Sequence, residues 1–294
     1  MENATEPLMR HRSSLLQVHA AVVLFGLAGL FGKWLALAPV FIVLGRVLFG
    51  SLALAFVLFL TGRGFRVRSA QDGLLFLLLG FILALHWILF FRSIQVSSVA
   101  VGLLSYASFP VFTVFLEPAF FRERVDRANV LMAGLCFVGI LLIVPRFDLS
   151  DATVRGLGYG LGAGLTFAIL TLINKLLTSR YGSLEIAFGQ DLTAVIFLCP
   201  FLLTARPELS ARTLLLLAVL GLFCTALAHT LFIGAMRRIK AQTAAILSSL
   251  EPVYGMAAAA LFLGERWPLR TILGGAVILG TTLAVSLRAR SRAA

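Results

Sequence analysis

Four charged or helix-breaking positions recur at one fixed offset: Lys33 returns as Lys175, Pro110 as Pro252, Glu123 as Glu265 and Arg124 as Arg266, each 142 residues later (175 less 33). Each copy holds five apolar runs of membrane-crossing length, about 18 to 24 residues. An odd number of crossings forces the second copy to sit upside down relative to the first. The expected fold is therefore an all-α integral membrane protein of ten transmembrane helices, arranged as two inverted five-helix repeats, a plan typical of transporters.

Composition points the same way. With 60% hydrophobic and 13% charged residues over 294 positions, the chain has too little polar material to cover a water-facing surface. A formal charge of +12 raises nucleic acid as a partner, but the basic residues fall in short runs between apolar segments rather than along one face, so none is expected. They read instead as topology signals. Fifteen Lys and Arg, including Arg63, Arg66, Arg68 and Arg180, collect in one set of alternate loops and tails against seven in the other, which predicts both termini on the cytoplasmic side of a plasma (inner) membrane. Arg10 and Arg12 before an apolar run, with Ala36-Leu37-Ala38 after it, imitate a signal peptide. The run is too long for a signal h-region and is taken as the first span.

The spans are predicted at about 15 to 38, 40 to 61, 73 to 94, 98 to 120 and 128 to 145, then about 156 to 178, 183 to 204, 213 to 236, 241 to 263 and 268 to 287. This divides the chain into a cytoplasmic tail (1–14), a first repeat (15–145), an inter-repeat loop (146–155), a second repeat (156–287) and a basic C-terminal tail (288–294). Glycines at 26, 29 and 32, and at 156, 158, 160, 162 and 164, predict close helix packing. Cys136, Cys199 and Cys224 lie in apolar runs without CxxC spacing and read as packing residues.

Polar and ionisable groups inside a bilayer need a partner, a cavity or an escape to the interface. Lys33 and Lys175, the latter preceded by Asn174, end the first helix of each half and either snorkel or face the pathway. Arg46 lies near the start of the second helix, while Gln190 and Asp191 lie mid-span in its counterpart. His86 and His229 occupy the third helix of each half, one residue out of register, and Trp87 beside the first needs a partner for its indole N–H. The fourth helix of each half carries a mid-membrane proline, Pro110 or Pro252, which removes a backbone hydrogen bond and bends the helix. Tyr106 and Phe109 precede the first bend; Ser248, Glu251 and Tyr254 surround the second. Glu123-Arg124 and Glu265-Arg266 end these helices on opposite faces, as solvated charges or as alternating gates.

The segment from His86-Trp87 through Ser97-Ser98-Val99-Ala100, Phe109-Pro110-Val111-Phe112 and Arg122-Glu123-Arg124 resembles the first EamA repeat of the drug/metabolite transporter superfamily. Leu250-Glu251-Pro252-Val253, Leu263-Gly264-Glu265-Arg266 and Gly274-Gly275-Ala276-Val277 are similar to the second. The resemblance covers essentially the whole chain. It implies a ten-helix carrier with its pathway between helices 1 to 4 and 6 to 9, and helices 5 and 10 at the periphery. It also implies a substrate drawn from amino acids, related metabolites, drugs, nucleotide sugars or lipid-linked sugars.

The expected function is secondary-active export of a small polar metabolite such as an amino acid, with Arg46 for a carboxylate and Glu251 or Asp191 for an ammonium. The alternative is a flippase for a lipid-linked sugar or phospholipid. An intramembrane enzyme is disfavoured because no HExxH or GxSxG motif is present. The expected partners are the bilayer, a small-molecule substrate and, optionally, a second copy in a homodimer. No cofactor and no metal site is expected.

Overall fold

The computed structural model describes residues 5–121, 127–143, 148–236, 247–248 and 250–292. Its helices, in chain order, are α1 (Thr5–Trp34), α2 (Pro39–Leu60), α3 (Ala70–Val96), α4 (Val99–Tyr106), α5 (Phe109–Phe121), α6 (Arg127–Ile143), α7 (Ala152–Leu177), α8 (Ser183–Leu198), α9 (Ala211–Gly221), α10 (Ala228–Met236), α11 (Glu251–Leu263) and α12 (Leu269–Arg292). A 3-10 turn, Cys199–Leu203, extends α8, and a π turn, Leu222–Leu227, joins α9 to α10 without a gap. Among the described residues, six helical segments are long and apolar enough to cross a membrane: Ser14–Trp34, Pro39–Leu60, Ala70–Val96, Ala152–Leu177, Ser183–Leu203 and Ala211–Met236. Shorter apolar helices make up the rest.

Helix starts follow local chemistry. Pro39 opens α2 with its preset φ. Side chains of Ser69, Ser98, Asp151 and Ser210 accept from the first free backbone N–H groups of α3, α4, α7 and α9. The α11 helix ends at Gly264, whose φ of 66° few other residues adopt readily.

The fourth predicted span is broken two residues before its proline. Between α4 and α5, Ala107 and Ser108 form a turn, and the Ser108 hydroxyl donates to the Ser105 carbonyl at 2.6 Å. The same carbonyl accepts from the Ser108 amide at 3.3 Å, whereas the carbonyl that Pro110 leaves without a helical donor is that of Tyr106, four residues back. The α7 helix receives this break through Gly156, Gly160 and Gly164: a Cβ at these positions would run into Ser97, Ser105 and Ser108 respectively. Small residues four apart therefore let α7 lie against the serines of the broken helix. At a second close crossing, a Cβ on Gly26 of α1 would sit 2.9 Å from the Glu251 carbonyl, and one on Gly255 of α11 would sit 2.8 Å from the Gly26 carbonyl.

Around these contacts α3 packs on α7 and α8, α2 on α8 and α9, and α1 on α10 and α11. The α6 and α12 helices pair with each other and share a smaller core with α4 and α5, including Val101, Val111, Ile140 and Ile278. Cys136 and Cys224 are buried as expected of packing residues; Cys199, in the 3-10 turn, is exposed, because that turn faces away from the core.

Candidate functional site

Arg46 is the largest fully buried side chain of the described residues. Its Nε donates to the Thr225 hydroxyl at 2.9 Å and one terminal nitrogen to the Cys224 carbonyl at 3.0 Å. Both partners belong to the π turn. There the ladder shifts from four-residue to five-residue spacing, and Thr225 in turn donates to the Leu220 carbonyl, five residues back, at 3.0 Å. The guanidinium carbon lies 3.4 Å from the centre of the Trp87 indole, a desolvated cation–π contact of about 2 kcal/mol or more. The other terminal nitrogen, Nη1, has no hydrogen-bond partner among the described residues.

Two carboxylates share this interior and interact electrostatically with Arg46: Asp191 and Glu251. Asp191 lies 3.9 Å from His229 Nδ1, and neither of its oxygens has a hydrogen-bond partner among the described residues. The Gln190 amide contacts the same His229 nitrogen at 3.0 Å. Glu251 opens α11, where Pro252 at the first helical turn lacks an N–H in any case. The Tyr106 hydroxyl interacts electrostatically with the Glu251 carboxyl group, whose Oε2 has no hydrogen-bond partner among the described residues.

Aromatic rings wall the charges. His86 Nδ1 lies 2.9 Å from the Ala163 carbonyl, an acceptor only, so this nitrogen carries the proton. The His86 ring packs among Trp87, Tyr106 and Phe167 with centroids 4.8 to 5.6 Å apart. Phe109 stacks on Tyr106 at 5.4 Å, and His229 stacks near Trp87 at 6.2 Å. The indole N–H of Trp87 is buried and has no partner among the described residues.

Of the residues singled out from the sequence, Arg46, His86, Trp87, Tyr106, Phe109, Gln190, Asp191, His229 and Glu251 thus lie in one network. Others do not join it. Asn174 is buried near the C-terminal end of α7, its side-chain Oδ1 without a partner among the described residues, eleven residues beyond Ala163, or about 16 Å along the helix. Lys175 is exposed, Tyr254 is half-buried and Ser248 is buried beside α11. Lys33, at the end of α1, donates to the Ser97 carbonyl at 2.9 Å. Arg266 is exposed. Glu123 and Arg124 lie outside the described residues.

Glu265 has a definite partner. Its carboxylate accepts from the Val99 and Ala100 amides at 3.0 and 3.4 Å, capping the N-terminus of α4 from the turn between α11 and α12. At the opposite end of α3, about 40 Å away for 27 residues, Asp72 forms an ion pair with Arg180 at 2.7 Å and accepts from the Tyr181 hydroxyl at 3.0 Å.

The family model of the EamA-like transporters matches residues 12–144 and again 154–287. The chain belongs to the EamA-like transporter family. It is similar to the uncharacterised transporter YxxF of Bacillus subtilis, 26% identical over 96% of this chain and 92% of that one. It is also similar to the threonine/homoserine exporter RhtA of Escherichia coli K12, 28% identical over 67% of each chain. A solved crystal structure shares the fold with a TM-score of 0.69 at 16% identity, over 95% of this chain and 97% of the other. The transporter is accordingly an integral membrane protein. The Glu265 cap and the Asp72–Arg180 pair each join one matched segment to the other.

Sequence reasoning passed over Thr225, Asp72 and Tyr181. Thr225 is one threonine in an apolar run, and nothing local marks the π turn. Ser69-x-x-Asp72 matches a helix-start pattern, and Ser69 does cap the Asp72 amide at 3.1 Å. That local role conceals the contact with residues 108 and 109 positions away.

Proposed function

We propose that the chain is a secondary-active carrier of ten membrane helices in two inverted five-helix repeats. It exports a small zwitterionic metabolite, such as an amino acid, by alternating access across the inner membrane, with both termini in the cytoplasm. The reading rests on Arg46 and Glu251. One is a guanidinium and the other a carboxyl group; both are buried to within 2% exposure, interact electrostatically and each keep one polar atom without a partner among the described residues. A substrate carboxylate satisfies Arg46 Nη1 and a substrate ammonium satisfies Glu251 Oε2, each through a charge-assisted hydrogen bond. The aromatic wall of Trp87, Tyr106 and Phe109 suits an apolar side chain. The similarity to a threonine/homoserine exporter of Escherichia coli supports an amino acid as the cargo.

Alternating access follows from the two ties. Each joins the two repeats at one end of α3, and release of one tie at a time exposes the network to one side. The test is efflux of labelled amino acids from proteoliposomes. Wild type moves at least one of them, and Glu251→Gln lowers that rate by about a hundredfold, corresponding to about 2.7 kcal/mol of lost charge-assisted bonding. Full efflux by Glu251→Gln contradicts the assignment.

A further inference from the structure

The α2–α3 and α7–α8 connections meet at one end of the bundle and border an open cavity of about 430 Å³, within the range of small-molecule sites, about 300 to 1,000 Å³. Arg63, Arg68 and Arg180 line it, with Glu185 as its one lining carboxylate. These arginines read from the sequence as topology signals alone. Their arrangement asks for more.

The floor of the cavity is a fixed structure. Tyr181, 2% exposed, accepts from the Arg68 amide at 2.8 Å and donates to Asp72 at 3.0 Å, and its ring packs against Phe76 at 5.1 Å. The Arg68 guanidinium lies 4.9 Å from the same ring, which holds it over the cavity.

Both nearby carboxylates are already engaged. Glu185 accepts from the Gly182 amide at 2.6 Å, and Asp72 holds Arg180 and Tyr181. Arg63 and Arg68 form no ion pair among the described residues, and both are exposed to an incoming ligand. Two unpaired guanidinium groups in a concave site with three cations against two occupied carboxylates match a ligand with several acceptor oxygens and negative charge. Phosphate is the group whose geometry the guanidinium fork fits.

We propose that this cavity binds a phosphate-bearing anion, held by Arg63 and Arg68 with Arg180 at its wall. The phosphate belongs either to the headgroup of an anionic phospholipid or to a soluble ion, and the site is independent of the central network.

The experiment uses the full chain in two arms. In the first, native mass spectrometry counts lipids retained by protein reconstituted in an equal mixture of phosphatidylglycerol and phosphatidylcholine. In the second, inorganic phosphate is titrated calorimetrically into detergent-purified protein. Wild type is expected to retain phosphatidylglycerol over phosphatidylcholine by about fivefold or more, as one to two arginines at a headgroup provide, or to bind phosphate saturably; the arm that responds names the source. The Arg63→Gln/Arg68→Gln variant is expected to lose that response. Arg63→Gln alone, which removes no described contact, carries the same expectation in reduced form should the double variant misfold. Equal retention of the two lipids together with no phosphate binding overturns the proposal, as does an unchanged response in the variants.

Discussion

Arg46 and Thr225 are joined by a hydrogen bond of 2.9 Å between α2 and the π turn, and Thr225 is itself held by the Leu220 carbonyl at 3.0 Å. The arginine is thus fixed by a local departure from α-helical geometry rather than by a carboxylate. Its charge remains available to the interior, where Asp191 and Glu251 lie within electrostatic reach.

Thr225→Val removes the acceptor while keeping the branched shape. A hydrogen bond to a charged group contributes about 1.5 to 3 kcal/mol, so the variant is expected to unfold at lower temperature in a detergent thermal-shift assay. Transport should fall as well, because Arg46 loses its orientation. An unchanged melting temperature removes Thr225 from the network.

Arg46 itself separates charge from geometry. Arg46→Ala leaves two buried carboxylates without their cation, and breaking such a buried arrangement costs about 3 to 5 kcal/mol. Poor expression or a large thermal shift is the expected result. Arg46→Lys keeps the charge but loses the planar fork over Trp87. It is expected to fold and to transport more slowly, measured as efflux per molecule of reconstituted protein.

Much of this could be read from the chain before any coordinates. Apolar run length located several of the long helices: α3, α7 and α8 begin within a few residues of their predicted starts. The break before Pro110 and the glycine stripe of α7 follow from local stereochemistry, which sequence records well. The histidine offset was legible but unexplained. His229 falls one residue beyond the repeat partner of His86, and the π turn at Leu222–Leu227 lies directly before it, where a wider turn absorbs one extra residue. What stayed hidden was pairing across long separations. Asp72 meets Arg180 only after α3 and α7 pack antiparallel, with Ser93 on the Gly156 carbonyl and His86 on that of Ala163. Glu265 meets the α4 N-terminus for the same kind of reason, and no local pattern encodes either.

The two ties should respond separately. Cys224 is buried beside Arg46, so in a Cys136→Ser/Cys199→Ser background its maleimide labelling reports exposure of the network. Asp72→Asn is expected to raise labelling about tenfold from the side of the α2–α3 connection, and Glu265→Gln from the opposite side, each through loss of about 1.5 kcal/mol or more of charged hydrogen bonding. Equal labelling from both sides in both variants rules out a gating role.

Gly26→Ala should loosen the crossing that sets Glu251 against α1. The added methyl meets backbone atoms at 2.9 Å, which cannot rotate away, and overpacking of this kind costs about 1 to 3 kcal/mol. Gly158→Ala, where nothing lies within 4 Å, serves as the control and should be near neutral in the same thermal-shift assay.

The central claim is that Arg46 and Glu251 together read both charges of a zwitterion. It is tested most directly by calorimetric binding of a transported amino acid, its N-acetyl derivative and its methyl ester to the purified protein. The account predicts that the amino acid binds and that removing either charge weakens binding by about tenfold or more. The N-acetyl form should lose its contact with Glu251, and the ester its contact with Arg46. Equal affinity for all three contradicts it.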